Sequence, residues 1–318
     1  DHLHLIIRSS LFLSCMVSCM LKYQATIPGG SSGCLMLRKT DHGEIIEFKV
    51  SRTAFGRPLY INHFYFIDGL LIDTGPVHTA AEVHKALCKM PIKQIAITHQ
   101  HEDHTGNSHS LERELKVPVY ANSGTLQTMK NPPQIPIYRH LLWGAQPPAN
   151  GLPLGPKIFT EKYEFDVINT PGHSADHVCF FEPINRWLFC GDLFLGEKLT
   201  GFMIGENIAD HFQSLAKVIA LKPAIMFCGL KGRIENATER LLGKYEQWWD
   251  IGLKVKDLHE AGAPGKMIVK AVFGGEYLFY YLSQSNWGRC YMVDTIIENF
   301  NIFNEQTKRP EHITGQNS

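Results

Sequence analysis

Short stretches of this chain alternate apolar and polar residues, and longer ones run apolar throughout. Together they mark out strands and helices from Glu44 onward. The period-two alternation of Ile45 to Val50 and the run from Tyr60 to Ile72 predict strands. Thr79 to Lys89 reads as a helix that ends before Pro91. Ile92 to Thr98 predicts a strand, Ser108 to Leu115 a helix, and Val117 to Ala121 another strand. The Pro- and Gly-rich stretch from Asn131 to Pro156 predicts a loop. Strands return around Phe165 to Ile168, Val178 to Phe181 and Trp187 to Cys190. A helix over Asp210 to Leu221 follows, with Ile225 to Phe227 as the last strand. Beyond Asn236 the pattern is helical: Leu241, Leu242, Tyr245, Trp248, Trp249, Leu253 and Val255 form a stripe suited to a core or an interface. Met267 to Phe273, Tyr277 to Leu282 and Tyr291 to Phe300 complete a small helical bundle, and the tail from Asn304 is polar and expected to fray. Periodicity by itself establishes only a mixed α/β chain.

Against this background Thr98-His99-Gln100-His101-Glu102-Asp103-His104-Thr105-Gly106 stands out. Its side chains are far denser in metal-binding groups than folding requires. His99 and His101 are two residues apart at the end of a predicted strand, so both side chains emerge on one face and can reach a single ion. A helix beginning near Thr105-Gly106 would carry Asp103 and His104 to the other side of the pocket. There they suit a second ion about 3.5–4 Å away. Imidazole mixed with carboxylate is a donor set that zinc accepts, and ligand type equally admits iron(II) or manganese.

These residues resemble the signature of the metallo-β-lactamase superfamily, His-x-His-x-Asp-His after an apolar strand. The rest of the chain follows that family's order of motifs. Phe64 to Gly75 is similar to its early hairpin, ending in Asp73-Thr74-Gly75; the resemblance implies that Asp73 supports the site from behind the ligands. Thr170-Pro171-Gly172-His173-Ser174 resembles the loop of the third histidine, and Trp187 to Asp192 the strand whose aspartate bridges two metals. His173 and Asp192 are therefore expected ligands. The last motif departs from the family: where it places a sixth ligand, a histidine, this chain has Leu230. The second position would retain Asp103, His104 and Asp192 and bind its ion more weakly. Nearby Cys228 is expected to be packing, and Lys231 a solvated lysine that could alternatively replace part of the missing charge.

The resemblance implies an αββα sandwich with a small C-terminal helical appendage. Residues 41–240 would form the metallo-β-lactamase-like domain and 241–318 the helical region, with 1–40 an uncertain segment or linker. Thr170 to Tyr245 looks most like the branch containing β-lactamase-like protein 2 and glyoxalase II. A cation held there lowers the pKa of a bound water from 15.7 toward about 7, and the expected reaction is attack by that hydroxide on a small ester or thioester. Asp103 is placed to aim the water and take its proton. Zinc, as one ion or two, is the expected cofactor. Two alternatives stay open: a single-strand ribonuclease or phosphodiesterase of the same fold, and a metal-poor binding protein that has lost turnover.

Composition narrows the partners. The chain has 318 residues, 44% hydrophobic and 19% charged, enough for a buried core. Its net charge is zero and no basic tract marks a nucleic-acid surface, so a small-molecule substrate is the expected partner. The C-terminal helices offer a face for a homodimer. Eight cysteines (Cys15, Cys19, Cys34, Cys88, Cys179, Cys190, Cys228 and Cys290) are scattered without Cys-x-x-Cys pairs. That favours a reducing, cytoplasmic setting. The apolar run Leu11 to Leu21 is too short to span a membrane and near the size of a signal-peptide core, which leaves a secretory signal open. Gly29-Gly30-Ser31-Ser32-Gly33 reads as a flexible linker.

Overall fold

The computed structural model describes residues 35–54 and 57–304. The apolar run at 11–21, the glycine-rich linker and the polar tail beyond Asn304 lie outside those residues. The chain order is β1 (Leu35–Asp41), β2 (Ile45–Ala54), β3 (Arg57–Ile67), β4 (Leu70–Ile72), α1 (Ala80–Leu87), β5 (Gln94–Ala96), α2 (Glu102–Thr105), α3 (Ser108–Leu115), β6 (Val119–Ala121), α4 (Ser123–Lys130), α5 (Ile137–Leu142), β7 (Leu152–Pro153), β8 (Lys157–Phe159) and β9 (Glu164–Asn169). It continues through β10 (Val178–Glu182), β11 (Trp187–Gly191), β12 (Phe202–Met203), α6 (Ile208–Ala220), β13 (Ile225–Cys228), β14 (Gly232–Glu235), α7 (Ala237–Glu260), α8 (Gly265–Phe273), α9 (Leu278–Leu282), β15 (Trp287–Gly288) and α10 (Arg289–Glu298).

One sheet runs β1-β2-β3-β4-β5-β6-β7 and a second runs β14-β13-β11-β10-β9-β8, with β12 and β15 forming a separate pair. Strands β4 to β7 are parallel to one another. Their neighbours β1 to β3 are antiparallel.

Side-chain alternation sorts each strand between two layers. On β3, Tyr65 and Ile67 meet Phe165, Phe180, Phe189 and Phe227 of the facing sheet. Phe64 and Phe66 point the other way, onto Val83 and Leu87 of α1 and Leu111 of α3. On β10 and β11, Phe180 and Phe189 face inward, whereas Cys179, Phe181, Leu188 and Cys190 pack under α6, α7, α8 and α10. A strand covered on both faces needs apolar residues at every position, which is why Tyr60 to Ile72 reads as a run rather than an alternation. Aromatic rings fill the gap between the sheets: Phe189 stacks on Phe227 at 4.8 Å, and Tyr65 meets Phe227 edge-on at 5.3 Å. The expected αββα sandwich is the observed fold.

Four boundaries differ from the sequence pattern. Leu35 to Asp41, within the stretch taken as a linker, pairs in full register with β2; its polar composition suits an edge strand with one wet face. The loop expected over Asn131 to Pro156 contains α5 and β7, because Leu152 and Pro153 pair with Tyr120 and Ala121 of β6. Ile225 to Phe227 is not the last strand: Gly232 at φ +71 turns the chain back, so that Gly232 to Glu235 pairs with Ile225 to Cys228. The boundary expected at 240/241 falls inside the 24-residue α7. That helix shares one continuous core with the second sheet, and only Leu253 of its predicted stripe is substantially exposed, at 37%.

Helix α7 also ties the C-terminal region to the loop after β11. The Lys244 ammonium, fully buried, donates to the Phe194 carbonyl and sits 4.0 Å over the Trp248 ring, while Trp248 Nε1 donates to Leu199 O at 2.8 Å. No helix among the described residues is long and apolar enough to cross a membrane. The Trp248→Ala variant is expected to lose about 3–5 kcal/mol, as for other buried large-to-small changes. Chemical denaturation should show one cooperative transition shifting as a whole. A separate early transition for the C-terminal helices would show that they form a unit of their own.

Candidate metal centre

The two sheets meet at an edge where five connections converge: 73–75 after β4, 97–104 after β5, 170–177 after β9, 192 after β11 and 229–231 after β13. Backbone bonds stitch this edge across the sandwich. Val178 N donates to Thr98 O at 2.9 Å, Gly229 N to Gly191 O at 2.8 Å and His63 N to Gly229 O at 2.6 Å. Strand β5 ends at Ala96, two residues short of the predicted end, and the helix begins at Glu102 rather than near Thr105-Gly106. The His101 carbonyl starts it by accepting from His104 N and Thr105 N at 2.9 and 3.0 Å. Asp103 and His104 thereby leave the first helical turn.

The side chains expected to bind metal come together here. His101 Nδ1 lies 3.0 Å from both His99 Nε2 and His173 Nε2. His104 Nε2 lies 3.3 Å from Asp192 Oδ1, and His173 Nε2 lies 3.6 Å from Asp192 Oδ2. The Asp192 carboxylate therefore turns one oxygen toward each side of the cluster. Among the described residues, two groups have ligand atoms all within 4.8 Å of one another: His99 with His101 and His173, and His99 with His104 and Asp192. Asp103 belongs to neither. Its Oδ2 stands 3.7 Å from His104 Nε2 and accepts from Asn62 Nδ2 at 3.3 Å.

Behind these side chains lie groups that aim them. Asp73 accepts from His104 Nδ1 at 2.8 Å and from Thr98 N at 2.8 Å, which turns His104 Nε2 inward as an acceptor. Asp73 itself is left-handed, at φ 63, a strained conformation for a residue with a Cβ. Glu206 performs a similar task for His173, its carboxylate 3.5 Å from Nδ1 and hydrogen-bonded to His211 Nε2 at 3.0 Å. His177 Nε2 accepts from Asp192 N at 3.1 Å while its Nδ1 donates to Thr170 Oγ1. Of these supports only Asp73 was expected from the sequence. Glu206, His177, Thr98 and Asn62 carry no local spacing pattern, although His177 closes the His173-Ser174-Ala175-Asp176-His177 segment.

Burial and mutual repulsion hold the pKa values of His99 and His101 well below normal, so both rings are neutral and free to donate a lone pair. Burial also opposes charge on His104, but Asp192, Asp103 and Asp73 outweigh it and raise its pKa well above normal. For Asp192, burial is overcome by His104 and His173, which bring its carboxyl down to about 2. His104 Nε2 and Asp192 Oδ1 are both buried without a hydrogen-bond partner, facing each other. The neutral His99 and His101 rings, the ionised Asp192 carboxylate and two unpaired donor atoms aimed at one point fit a divalent cation.

The altered segment lies against this point. A side chain at Gly229 would collide with Asp192 Oδ1 and come within 2.7 Å of His104 Cε1, so only glycine lets the backbone pass. Leu230 is 36% exposed and Lys231 is exposed, while Cys228 is buried in the core beneath the second sheet.

A two-sheet sandwich that gathers imidazoles and carboxylates from both sheets at one edge is an α/β architecture with the donor set for a metal ion. The sequence profile described as Metallo-beta-lactamase superfamily matches residues 60–230, more than half of the chain, and the chain belongs to that superfamily. A hydroxyacylglutathione hydrolase of Bdellovibrio bacteriovorus is 27% identical over 157 residues, 49% of this chain and 54% of that one. An atrochrysone carboxyl ACP thioesterase of Aspergillus fumigatus is 30% identical over 176 residues, 54% of this chain and 50% of that one. The matched relatives thus include the glyoxalase II activity named for the expected branch, and the chain spans about half the length of these curated relatives. Among solved structures, a metallo-beta-lactamase family protein from Thermus thermophilus superposes with a TM-score of 0.60 at 19% identity, covering 81% of this chain and 94% of that one. A beta-lactamase domain protein from Burkholderia ambifaria gives 0.57 at 15% identity, with 87% and 88% coverage, and both likenesses concern the fold.

Because Asp192, Asp103 and Asp73 raise the pKa of His104, cation binding should compete with a proton there. Affinity should therefore rise with pH through neutrality. Calorimetry of zinc binding in buffers of different ionisation enthalpy should show net proton release at pH 7. The Gly229→Ala variant should bind zinc at least about tenfold more weakly, in the range of changes around ligands. Unchanged affinity would mean that the Asp192 and His104 pair is not used.

Proposed function

We propose that this protein is a metal-dependent hydrolase of small thioesters or esters. His99, His101, His173 and Asp192 hold one cation, zinc by donor type, and His104 and Asp192 with Asp103 hold a second more weakly. The observation that carries the proposal is the Asp192 carboxylate, which turns Oδ2 to His173 and Oδ1 to His104. Two relatives in that superfamily support the substrate class by name, one a hydrolase of a hydroxyacylglutathione and one an acyl-carrier thioesterase.

When bound, such a cation supplies positive charge for the developing oxyanion and a water whose pKa falls toward about 7. The protein's own groups do the rest. Asp103 Oδ2 is tied to Asn62, which leaves the other oxygen to orient the attacking water and take its proton. Burial raises the Asp103 pKa, only partly offset by His104, so the carboxylate is a better proton acceptor than an exposed aspartate. Asp73 and Glu206 keep His104 and His173 pointed inward throughout. No serine or cysteine nucleophile is required, and buried Cys179 and Cys190, with thiol pKa values pushed up by burial, are unsuited to the task.

Leu230 stands where the superfamily's last ligand histidine is expected, and the second position consequently holds its ion loosely. The test is metal analysis of the purified protein, paired with assays on thioester, lactam and phosphodiester substrates. Stoichiometric zinc, thioester turnover abolished by chelation and restored by zinc, and loss of activity below about pH 6 as imidazoles protonate are the expected results. Asp103→Asn should lower kcat by about 10²–10⁴, and Leu230→His should raise occupancy of the second position. Phosphodiester cleavage without thioester turnover would replace this reading with a nuclease. Neither metal nor rate in the native and Leu230→His proteins would make it a binding protein.

A further inference from the structure

Glu102 is the one residue between His101 and Asp103, and it is buried against a cation from a distant segment. Arg139 on α5 donates from Nε and Nη2 to Glu102 Oε2 at 3.0 and 2.6 Å, with the two side chains only 12% and 7% exposed. Burying such a pair adds little net stability, because desolvation offsets most of the attraction. Its geometry is more informative. A guanidinium carries five N–H donors in a planar fork, and Glu102 occupies only the Nε side. On the opposite side Nη1 faces the thioether sulfur of Met203 at 3.8 Å, a weak acceptor, and among the described residues this edge has no oxygen partner.

The fork is also held still. Arg52 Nη1 donates to Leu141 O at 2.9 Å, Tyr138 Oη donates to Asn286 Oδ1 at 2.6 Å, and the Trp143 ring lies 5.7 Å from the guanidinium carbon.

We propose that Arg139 is a specificity residue: anchored to Glu102 on one edge, it receives a carboxylate of the substrate on the other, beside the scissile bond. This inference rests on the hydrolase reading and narrows it to acyl substrates whose acyl arm ends in a carboxylate. The paired geometry of carboxylate and guanidinium suits Arg139, and a lysine at the same place could not reproduce it.

The experiment compares two thioesters with the same neutral leaving group, glutaryl- and pentanoyl-N-acetylcysteamine, on the zinc-loaded native protein and on Arg139→Met and Arg139→Lys. The native protein should prefer the glutaryl substrate in kcat/KM by at least about tenfold, the worth of one charge-assisted contact. Arg139→Met should bring the ratio to about one, and Arg139→Lys should leave it in between. Equal use of both substrates by the native protein, or an unchanged ratio in Arg139→Met, overturns the proposal. If Arg139→Met fails to fold, as its melting curve and metal content would reveal, inhibition of the native protein by glutarate and pentanoate decides. Both acids can reach the metal through one carboxylate, so only a contact for the second makes glutarate the stronger inhibitor, and equal inhibition overturns the proposal. The two readings fail separately. Turnover of both thioesters without preference leaves the hydrolase standing and removes the role of Arg139. No turnover of either, with glutarate binding by calorimetry that is lost in Arg139→Met, removes the hydrolase and keeps the carboxylate site.

Discussion

The structure depends on one electrostatic problem, the desolvation of four histidines and the Asp192 carboxylate at a single edge of the sandwich. Asp192 and His104 face each other at 3.3 Å with their inward atoms unpaired. Three further imidazoles crowd within contact distance of one another. Such a collection is costly to bury, and the neighbouring carboxylates, by raising the pKa of His104, offset part of that cost. A divalent cation at the same place would give these donor atoms a shared partner.

Neither sheet could build that edge alone. The first supplies His99, His101, Asp103 and His104 from the connections after β5, and the second supplies His173 and Asp192 after β9 and β11. The bond from Val178 N to Thr98 O joins the two halves beside the cluster. The stacked rings of Phe189 and Phe227, with Tyr65 edge-on against them, fix the sheet separation below it. The C-terminal helices contribute from the far side. Lys244 and Trp248 hold the loop that follows Asp192, and Asn286 holds the helix that carries Arg139. The helical region behaves as part of the same packed body as the second sheet.

The segment expected to depart from the superfamily pattern lies against the cluster. Gly229 brings bare backbone against Asp192 and His104, and Leu230 presents an apolar side chain to solvent where a ligand histidine is expected. Arg139, paired with Glu102, stands close enough to His101 and Asp103 for its charge to act on both.

Much of this was legible in the sequence because its carriers are local. The spacing of His99, His101, Asp103 and His104 is written in six consecutive residues, and the doubly covered strands announce themselves as unbroken apolar runs. His173, Asp192 and Asp73 could be named because family order places each at the end of a recognisable apolar segment. What escaped is what depends on distance through space. Glu206 lies 33 positions beyond His173 and Arg139 lies 37 beyond Glu102, with no periodicity linking either pair. Strands β1, β7 and β14 are short or polar, and pairing with a neighbour rather than composition makes them strands. Local chemistry thus marked the donor side chains that the fold gathers at one edge. Only the tertiary structure decided which carboxylates would aim them and which cation would stand beside them, because those partners are chosen by packing between elements far apart in the chain.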